Sequence, residues 1–160
     1  MLYQLSASAA GITRGSATRL LINDRSDIAA AAGADGVHLP THSMPTAVVR
    51  RAFGEEFLIG VSTHSAQEAG LAHRSGADFV VYGPVFKTES KGKYGAPQGL
   101  ADLRKVSLEL SPFPVLALGG LTVDNAADCL DAGAQGVAGI TMFGNPDNLA
   151  DVVNAIRKNF

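Results

Sequence analysis

Ala32-Gly-Ala-Asp-Gly-Val-His-Leu39, Ser75-Gly-Ala-Asp-Phe-Val-Val-Tyr82 and Ala132-Gly-Ala-Gln-Gly-Val-Ala-Gly139 write one pattern three times along the chain. Each reads as a helix end turning into a strand. The glycines Gly33, Gly76 and Gly133 suit the left-handed position that stops a helix, and the small residue after each lets the chain turn quickly into a β-rich run. The glycines lie 43 and 57 residues apart, which fits about two strand–helix units per interval rather than a short solenoid repeat. Strands are expected at about 19–23, 36–39, 57–61, 79–83, 114–118 and 136–140, and helices at about 2–13, 25–32, 45–52, 65–75, 99–110, 122–132 and 146–158. The strands are near-continuous apolar runs, as expected of a parallel sheet covered on both faces.

Alternating strands and helices point to an α/β fold of the (β/α)8 TIM-barrel type, which needs eight strands and at least about 200 residues. Only six strands are legible in 160 residues. The expectation is therefore a single barrel domain over residues 1–160, N-terminally shortened and incomplete, with about six parallel strands. An open six-stranded sheet would leave edges unpaired, so closure against a partner, a homo-oligomer included, stays open.

Composition narrows the function. The net charge of −2 and the absence of a long basic run give no footprint for nucleic acid, and no apolar stretch is long enough to span a bilayer. A small-molecule partner is expected. One cysteine, Cys129, cannot make an internal disulfide, and Met1-Leu-Tyr-Gln lacks the basic start of a signal peptide; the expected compartment is the cytoplasm. Cys129 sits in an Ala-rich helical stretch and reads as a packed, inert thiol.

In a parallel barrel, function sits where strands end and helices begin. The last two strands, Pro114-Val-Leu-Ala-Leu-Gly-Gly120 and Gly136-Val-Ala-Gly-Ile-Thr141, both end in small residues, each expected to lie just ahead of a helix. Glycine lets a phosphate approach backbone N–H groups, and a helix N-terminus adds partial positive charge. Earlier in the chain, Asn23 could bond a phosphate or an amine and Asp24 could ligate Mg²⁺; alternatively Asp24 or Ser26 caps the following helix. His38 reads as a satisfied partner in the barrel mouth. Ser62, Thr63 and His64 close the third strand, and a histidine there suits proton transfer near neutral pH. Ser65 followed by Glu68 is a capping-box pattern. In the long segment Gly83–Gly99, the hydroxyls of Thr88 and Ser90 with the Lys91 ammonium make an anion clamp.

With these residues in view, the chain resembles the thiamine-phosphate synthase and TenI family over nearly its whole length. The resemblance rests on Ile22-Asn-Asp-Arg25, Gly33-Ala-Asp-Gly-Val-His-Leu39, Gly60-Val-Ser-Thr-His64, Gly83-Pro-Val-Phe-Lys-Thr-Glu-Ser-Lys91, Leu118-Gly-Gly-Leu121 and Gly133-Ala-Gln-Gly-Val137. It implies a barrel that binds a thiazole phosphate of thiamin biosynthesis on Gly119, Gly120, Ile140 and Thr141. A synthase would also use Asn23, Asp24, Ser62, Thr88, Ser90 and Lys91 around a pyrimidine pyrophosphate and Mg²⁺. Two departures bear on the reaction. Synthases usually continue Gly-Gln-Glu-Asp after His-Leu, the aspartate being a second metal ligand, whereas this chain reads His38-Leu-Pro-Thr-His-Ser43; and the basic pair that holds pyrophosphate falls upstream of Met1. The Leu-Pro-x-x-Ser spacing is similar to TenI, a thiazole tautomerase, in which a histidine matching His64 moves a proton and no metal is required. The favoured expectation is thus aromatising isomerisation of a thiazole carboxylate phosphate with His64 catalytic. Coupling to a pyrimidine pyrophosphate is the alternative, and a non-catalytic phosphate-binding protein is a second one.

Overall fold

The computed structural model describes residues 1–88 and 96–158. Seven helices and six strands alternate among them: α1 (Leu2–Thr13), β1 (Leu21–Asn23), α2 (Ser26–Ala32), β2 (Gly36–Leu39), α3 (Thr46–Phe53), β3 (Leu58–Thr63), α4 (Ala66–Arg74), β4 (Phe79–Tyr82), α5 (Gly99–Leu110), β5 (Val115–Leu118), α6 (Val123–Asp131), β6 (Gly136–Ala138) and α7 (Leu149–Arg157). Strand order in the sheet follows chain order from β1 to β6. This is the parallel α/β arrangement of the barrel class, with six strands. No described helix is long and apolar enough to cross a membrane.

The chain falls into two compact units. In the first, residues 1–62 and 71–79, β1 and β3 flank β2 in parallel, with Asn23 opposite His38 and His38 opposite Gly60. Ile22, Val37, Leu39 and Ile59 from the strands pack on Ala29, Val49 and Phe57, and a buried aliphatic side chain of this size contributes about 1.5–3 kcal/mol. In the second, residues 63–70 and 80–160, β5 lies between β4 and β6 in parallel. Val80, Tyr82, Leu103, Val106, Val115, Ala117 and Cys129 are all but sealed from solvent.

The repeated motif has a structural role that its glycines only half reveal. Gly33, Gly76 and Gly133 all take positive φ, at 71°, 89° and 96°, as helix-stopping residues should. Two residues on, Asp35, Asp78 and Gln135 each clamp a neighbouring strand at its start. The Asp35 amide donates to the Leu20 carbonyl (2.9 Å) while its carboxylate accepts from the Leu20 amide (2.8 Å). Asp78 does the same to Ile59 at 2.9 and 2.6 Å, and Gln135 to Val115 at 3.0 and 2.9 Å. Each clamp satisfies both polar groups of one backbone residue at the start of an odd-numbered strand. Arg19 pairs with Asp35 and Arg50 with Asp78.

Two expectations shift. β3 runs on to Thr63, because Thr63 is buried and its carbonyl accepts from Gly83 (3.1 Å). The last helix does not follow β6 directly: residues 139–148 form turns, with the Asp147 amide bonded to the Asn145 side chain, before α7 starts at Leu149.

Candidate functional site

Within the second unit, a cavity of about 460 Å³ opens at the C-terminal ends of β5 and β6, lined by Thr88, Gly119, Gly120, Ile140 and Thr141. All five are residues the sequence singles out. Lys87 and Thr122 line it too. Thr122 is the N-cap of α6: its hydroxyl accepts from the Asn125 amide (3.3 Å) and its own amide donates to the Asn125 side chain (2.8 Å), a closed capping box. The Asn125 side-chain amide also donates to the Gly120 carbonyl (3.1 Å). The positive end of the α6 dipole is thereby held at the cavity, the arrangement that favours an anion. Ile140, 87% exposed, presents an apolar surface beside this polar end.

Glycine is needed at residues 119 and 120 for a reason closer to hand than a ligand. Both have positive φ (100° and 65°), and a Cβ on Gly119 would lie 2.6 Å from Pro84 Cα while one on Gly120 would lie 2.6 Å from the Lys87 carbonyl oxygen. The chain after β4 zips onto the end of β5 through Val85 N–H to Leu118 O (2.8 Å) and Phe86 N–H to Gly119 O (3.0 Å). Close chain-to-chain approach places Lys87 and Thr88 at the cavity. Gly139 differs: its φ is unexceptional, and a Cβ there would meet only Met142 at 3.4 Å and Phe143 at 3.7 Å.

His64 belongs to the same unit. Its Nδ1 donates to the Gly83 carbonyl at 2.5 Å, which puts the proton of a neutral ring on Nδ1. The His64 amide donates to Glu68 Oε2 (2.7 Å), and the Glu68 amide to Ser65 Oγ (3.2 Å). The Ser65–Glu68 box is thus real, its carboxylate reaching residue 64 rather than Ser65, and it fixes His64 from its own backbone.

In the first unit, Asn23 and Asp24 end β1, His38 lies in β2, and Ser62 lies near the end of β3. His38 Nε2 and Ser62 Oγ are 2.8 Å apart, so His38 is the satisfied partner expected and its partner is a candidate binding residue. Asp24 does not cap α2, and neither does Ser26, which is the first helical residue: the N-cap position is Arg25, without a side-chain cap. The Asp24 carboxylate instead accepts from the Ser43 hydroxyl. Ser90 and Lys91 lie outside the described residues.

A family model described as thiamine monophosphate synthase, TMP-TENI, matches residues 1–143. The chain belongs to that family. It is 40% identical over 146 residues to a thiamine-phosphate synthase of Chloroflexus aurantiacus, covering 91% of this chain and 67% of that one. It is 38% identical over 157 residues to one of Moorella thermoacetica, covering 98% and 73%. Among solved structures, thiamine phosphate pyrophosphorylase from Pyrococcus furiosus superposes with a TM-score of 0.84 at 32% identity, over 99% of this chain and 75% of that one. The chain thus spans between two-thirds and three-quarters of the relatives it matches, and it is a member of an enzyme family.

These relatives alter the balance struck from sequence. The isomerase expectation rested on the missing carboxylate at residue 43 and on His64; the relatives carry the synthase name, which favours the coupling alternative. In physical terms, His64 is already engaged at Nδ1 with Gly83 and on its backbone with Glu68, so its presence at the strand end has a local explanation that needs no proton transfer.

Proposed function

We propose that the chain is a thiamine-phosphate synthase: it couples a pyrimidine pyrophosphate to a thiazole phosphate and releases pyrophosphate. The observation that carries the proposal is the cavity at the ends of β5 and β6, where Gly119, Gly120, Ile140 and Thr141 adjoin a capped helix N-terminus. In this reading the cavity holds the thiazole phosphate monoester. Lys87 and Thr88 supply a cation and a hydroxyl beside it, and Ser90 and Lys91 extend the clamp toward the pyrophosphate. Asn23 and Ser62 bind the pyrimidine substrate, with His38 orienting the Ser62 hydroxyl. His64 holds Gly83, and so the start of the segment that carries the clamp.

The residues present fit Mg²⁺ of the kind that travels with a substrate. Among the described residues no three His, Cys, Asp or Glu side chains cluster closely enough to cage a metal, but Asp24 offers an exposed carboxylate, and Mg²⁺ is commonly held by one or two carboxylates plus phosphate oxygens and water. When bound, the ion would neutralise charge developing on the departing pyrophosphate. The cytoplasm is the compartment this chemistry suits.

The test is to incubate the purified chain with the pyrimidine pyrophosphate, the thiazole phosphate and Mg²⁺ and to follow thiamine phosphate and pyrophosphate. Both should form in equal amounts. A parallel incubation with the thiazole carboxylate phosphate alone, followed by NMR, should show no isomerisation; turnover there without coupling would overturn the proposal in favour of the isomerase.

A further inference from the structure

We infer that Ser43 is a positioning residue for Asp24, and that the pair forms a rim site for a divalent cation that arrives with a polyphosphate rather than residing on the protein. The inference rests on the coupling reading and deepens its cation site.

Asp24 is held in place from three directions. Its φ of +64° is the one positive value among the non-glycine residues described, in a region that aspartate and asparagine enter more readily than other side chains. Its amide donates to the His38 carbonyl (2.8 Å), and the following amide, of Arg25, turns back to the Asn23 carbonyl (2.8 Å). The third restraint is on the side chain: the Ser43 hydroxyl donates to Asp24 Oδ1. Ser43 is itself fixed by a turn, its amide donating to the Pro40 carbonyl (3.0 Å), and it is half-buried.

The charge balance decides what such a site can hold. Arg25, the adjacent cation, spends its guanidinium on Asp27, at 2.8 and 2.6 Å. Among the described residues the Ser43 hydroxyl is the hydrogen-bond partner of the Asp24 carboxylate, so one oxygen is oriented by a neutral donor and the full negative charge is retained at an exposed rim. One carboxylate and one hydroxyl contribute a single charge. Mg²⁺ gives up its water reluctantly and takes most of its non-water ligands from phosphates in sites of this kind. Asp24 is therefore suited to receive the open side of a cation already chelated by phosphate oxygens, and Ser43 fixes the rotamer in which it does so. Oriented outer partners of this type typically change metal affinity 10- to 100-fold.

The experiment measures cation binding rather than turnover, with Mn²⁺ as the paramagnetic probe and electron paramagnetic resonance reporting free ion, with and without inorganic pyrophosphate. The wild-type chain should leave Mn²⁺ free in the absence of pyrophosphate and bind it in its presence. Ser43→Ala should weaken that ternary binding about tenfold, Ser43→Thr should restore it to within about twofold, and Ser43→Asp should bind Mn²⁺ without pyrophosphate. Equal binding by Ser43→Ala and wild type, with Asp24→Asn impaired, would overturn the role of Ser43 alone. Binding of Mn²⁺ alone by wild type as tightly as by Ser43→Asp would overturn the substrate-borne cation. If Asp24→Asn binds like wild type, Asp24 is not a cation ligand and the metal part of the coupling reading fails with it.

Discussion

Arg50 should be the most costly polar residue to remove from the first unit. Its guanidinium donates to Asp78 Oδ2 (2.6 Å) and to the carbonyls of Gly76 (2.9 Å), Gly54 (2.7 Å) and Phe57 (2.8 Å), while its side chain is only 11% exposed. Arg50→Met keeps the aliphatic stem and deletes every one of these donors. Hydrogen bonds to a charged group contribute about 1.5–3 kcal/mol each, but they do not add, and the Gly54 carbonyl is exposed and can turn to water. The decisive losses are Asp78 and the carbonyls of Gly76 and Phe57. Breaking a largely buried pair typically costs about 3–5 kcal/mol, and we expect about 3–4 kcal/mol here, a large share of the 5–15 kcal/mol that holds an ordinary domain. Glu55 is the internal control. It lies 3.9 Å from the same guanidinium but is 88% exposed, so Glu55→Ala should cost under about 0.5 kcal/mol. Urea denaturation at 25 °C gives both values from the midpoint and slope. A loss below about 1 kcal/mol for Arg50→Met, or equal losses for the two variants, would refute the claim that burial and multiplicity make this residue matter.

Gly139→Ala should fold normally and weaken thiazole-phosphate binding several-fold, because its Cβ meets only ordinary contacts and would intrude on the cavity. Gly120→Ala should instead lower stability by at least about 1–2 kcal/mol, the cost of a Cβ in the left-handed region; isothermal titration and thermal melts separate the two effects. Lys87→Gln should reduce affinity for the phosphate ester and flatten its dependence on ionic strength, measured against the unphosphorylated thiazole alcohol, whose binding should not change. Burial pushes the Tyr82 hydroxyl up to about 12, so the unfolded chain loses its proton first as pH rises; stability should fall between about pH 10 and 12, and Tyr82→Phe should lessen that fall in denaturation curves. The Leu20 amide and then Arg19 hold the Asp35 carboxyl below its usual range. Its contribution is present above the unfolded value and lost as pH falls through the folded one, so Asp35→Asn, which keeps an acceptor for Leu20, should be less acid-sensitive than wild type.

The fold was legible because periodicity and helix stops are local. Helix 2–13 is α1 (Leu2–Thr13) as read, and the expected strand 36–39 is β2, since each follows from side chains a few residues apart. Where polar residues sit at a buried strand end the reading stopped short: Ser62 and Thr63 look like loop, yet they continue β3 because Gly83 supplies a donor 20 residues away. The cavity residues were legible as glycines and hydroxyls at strand ends, but not the reason for glycine. Nothing near Gly119 in sequence says that Pro84 occupies the space of its missing side chain. Lys87 was passed over for Lys91 because a strand-end loop does not announce which of its lysines will be drawn against a neighbouring strand. Asp24 and Ser43 are 19 residues apart, and their pairing depends on the parallel register of β1 and β2.

The three clamps at the strand starts indicate what the repeated motif requires. Asp35 and Asp78 have arginine partners, at 2.9 and 2.6 Å, whereas the described residues offer Gln135 none. Gln135 nonetheless makes the same pair of bonds to Val115 that Asp78 makes to Ile59. If charge were the requirement, the third copy would have lost its function along with its cation; since a neutral amide oxygen serves, the requirement is an acceptor held two residues beyond a left-handed glycine, and the arginines are what a carboxylate needs in order to fill that role partly buried. Residues at the opposite ends of the strands are then relieved of holding the sheet together. That explains how β1 can finish in an aspartate of unusual backbone conformation, and β5 in two glycines, without unravelling: strain at the functional ends is tolerated because neighbouring strands are locked to one another at the start.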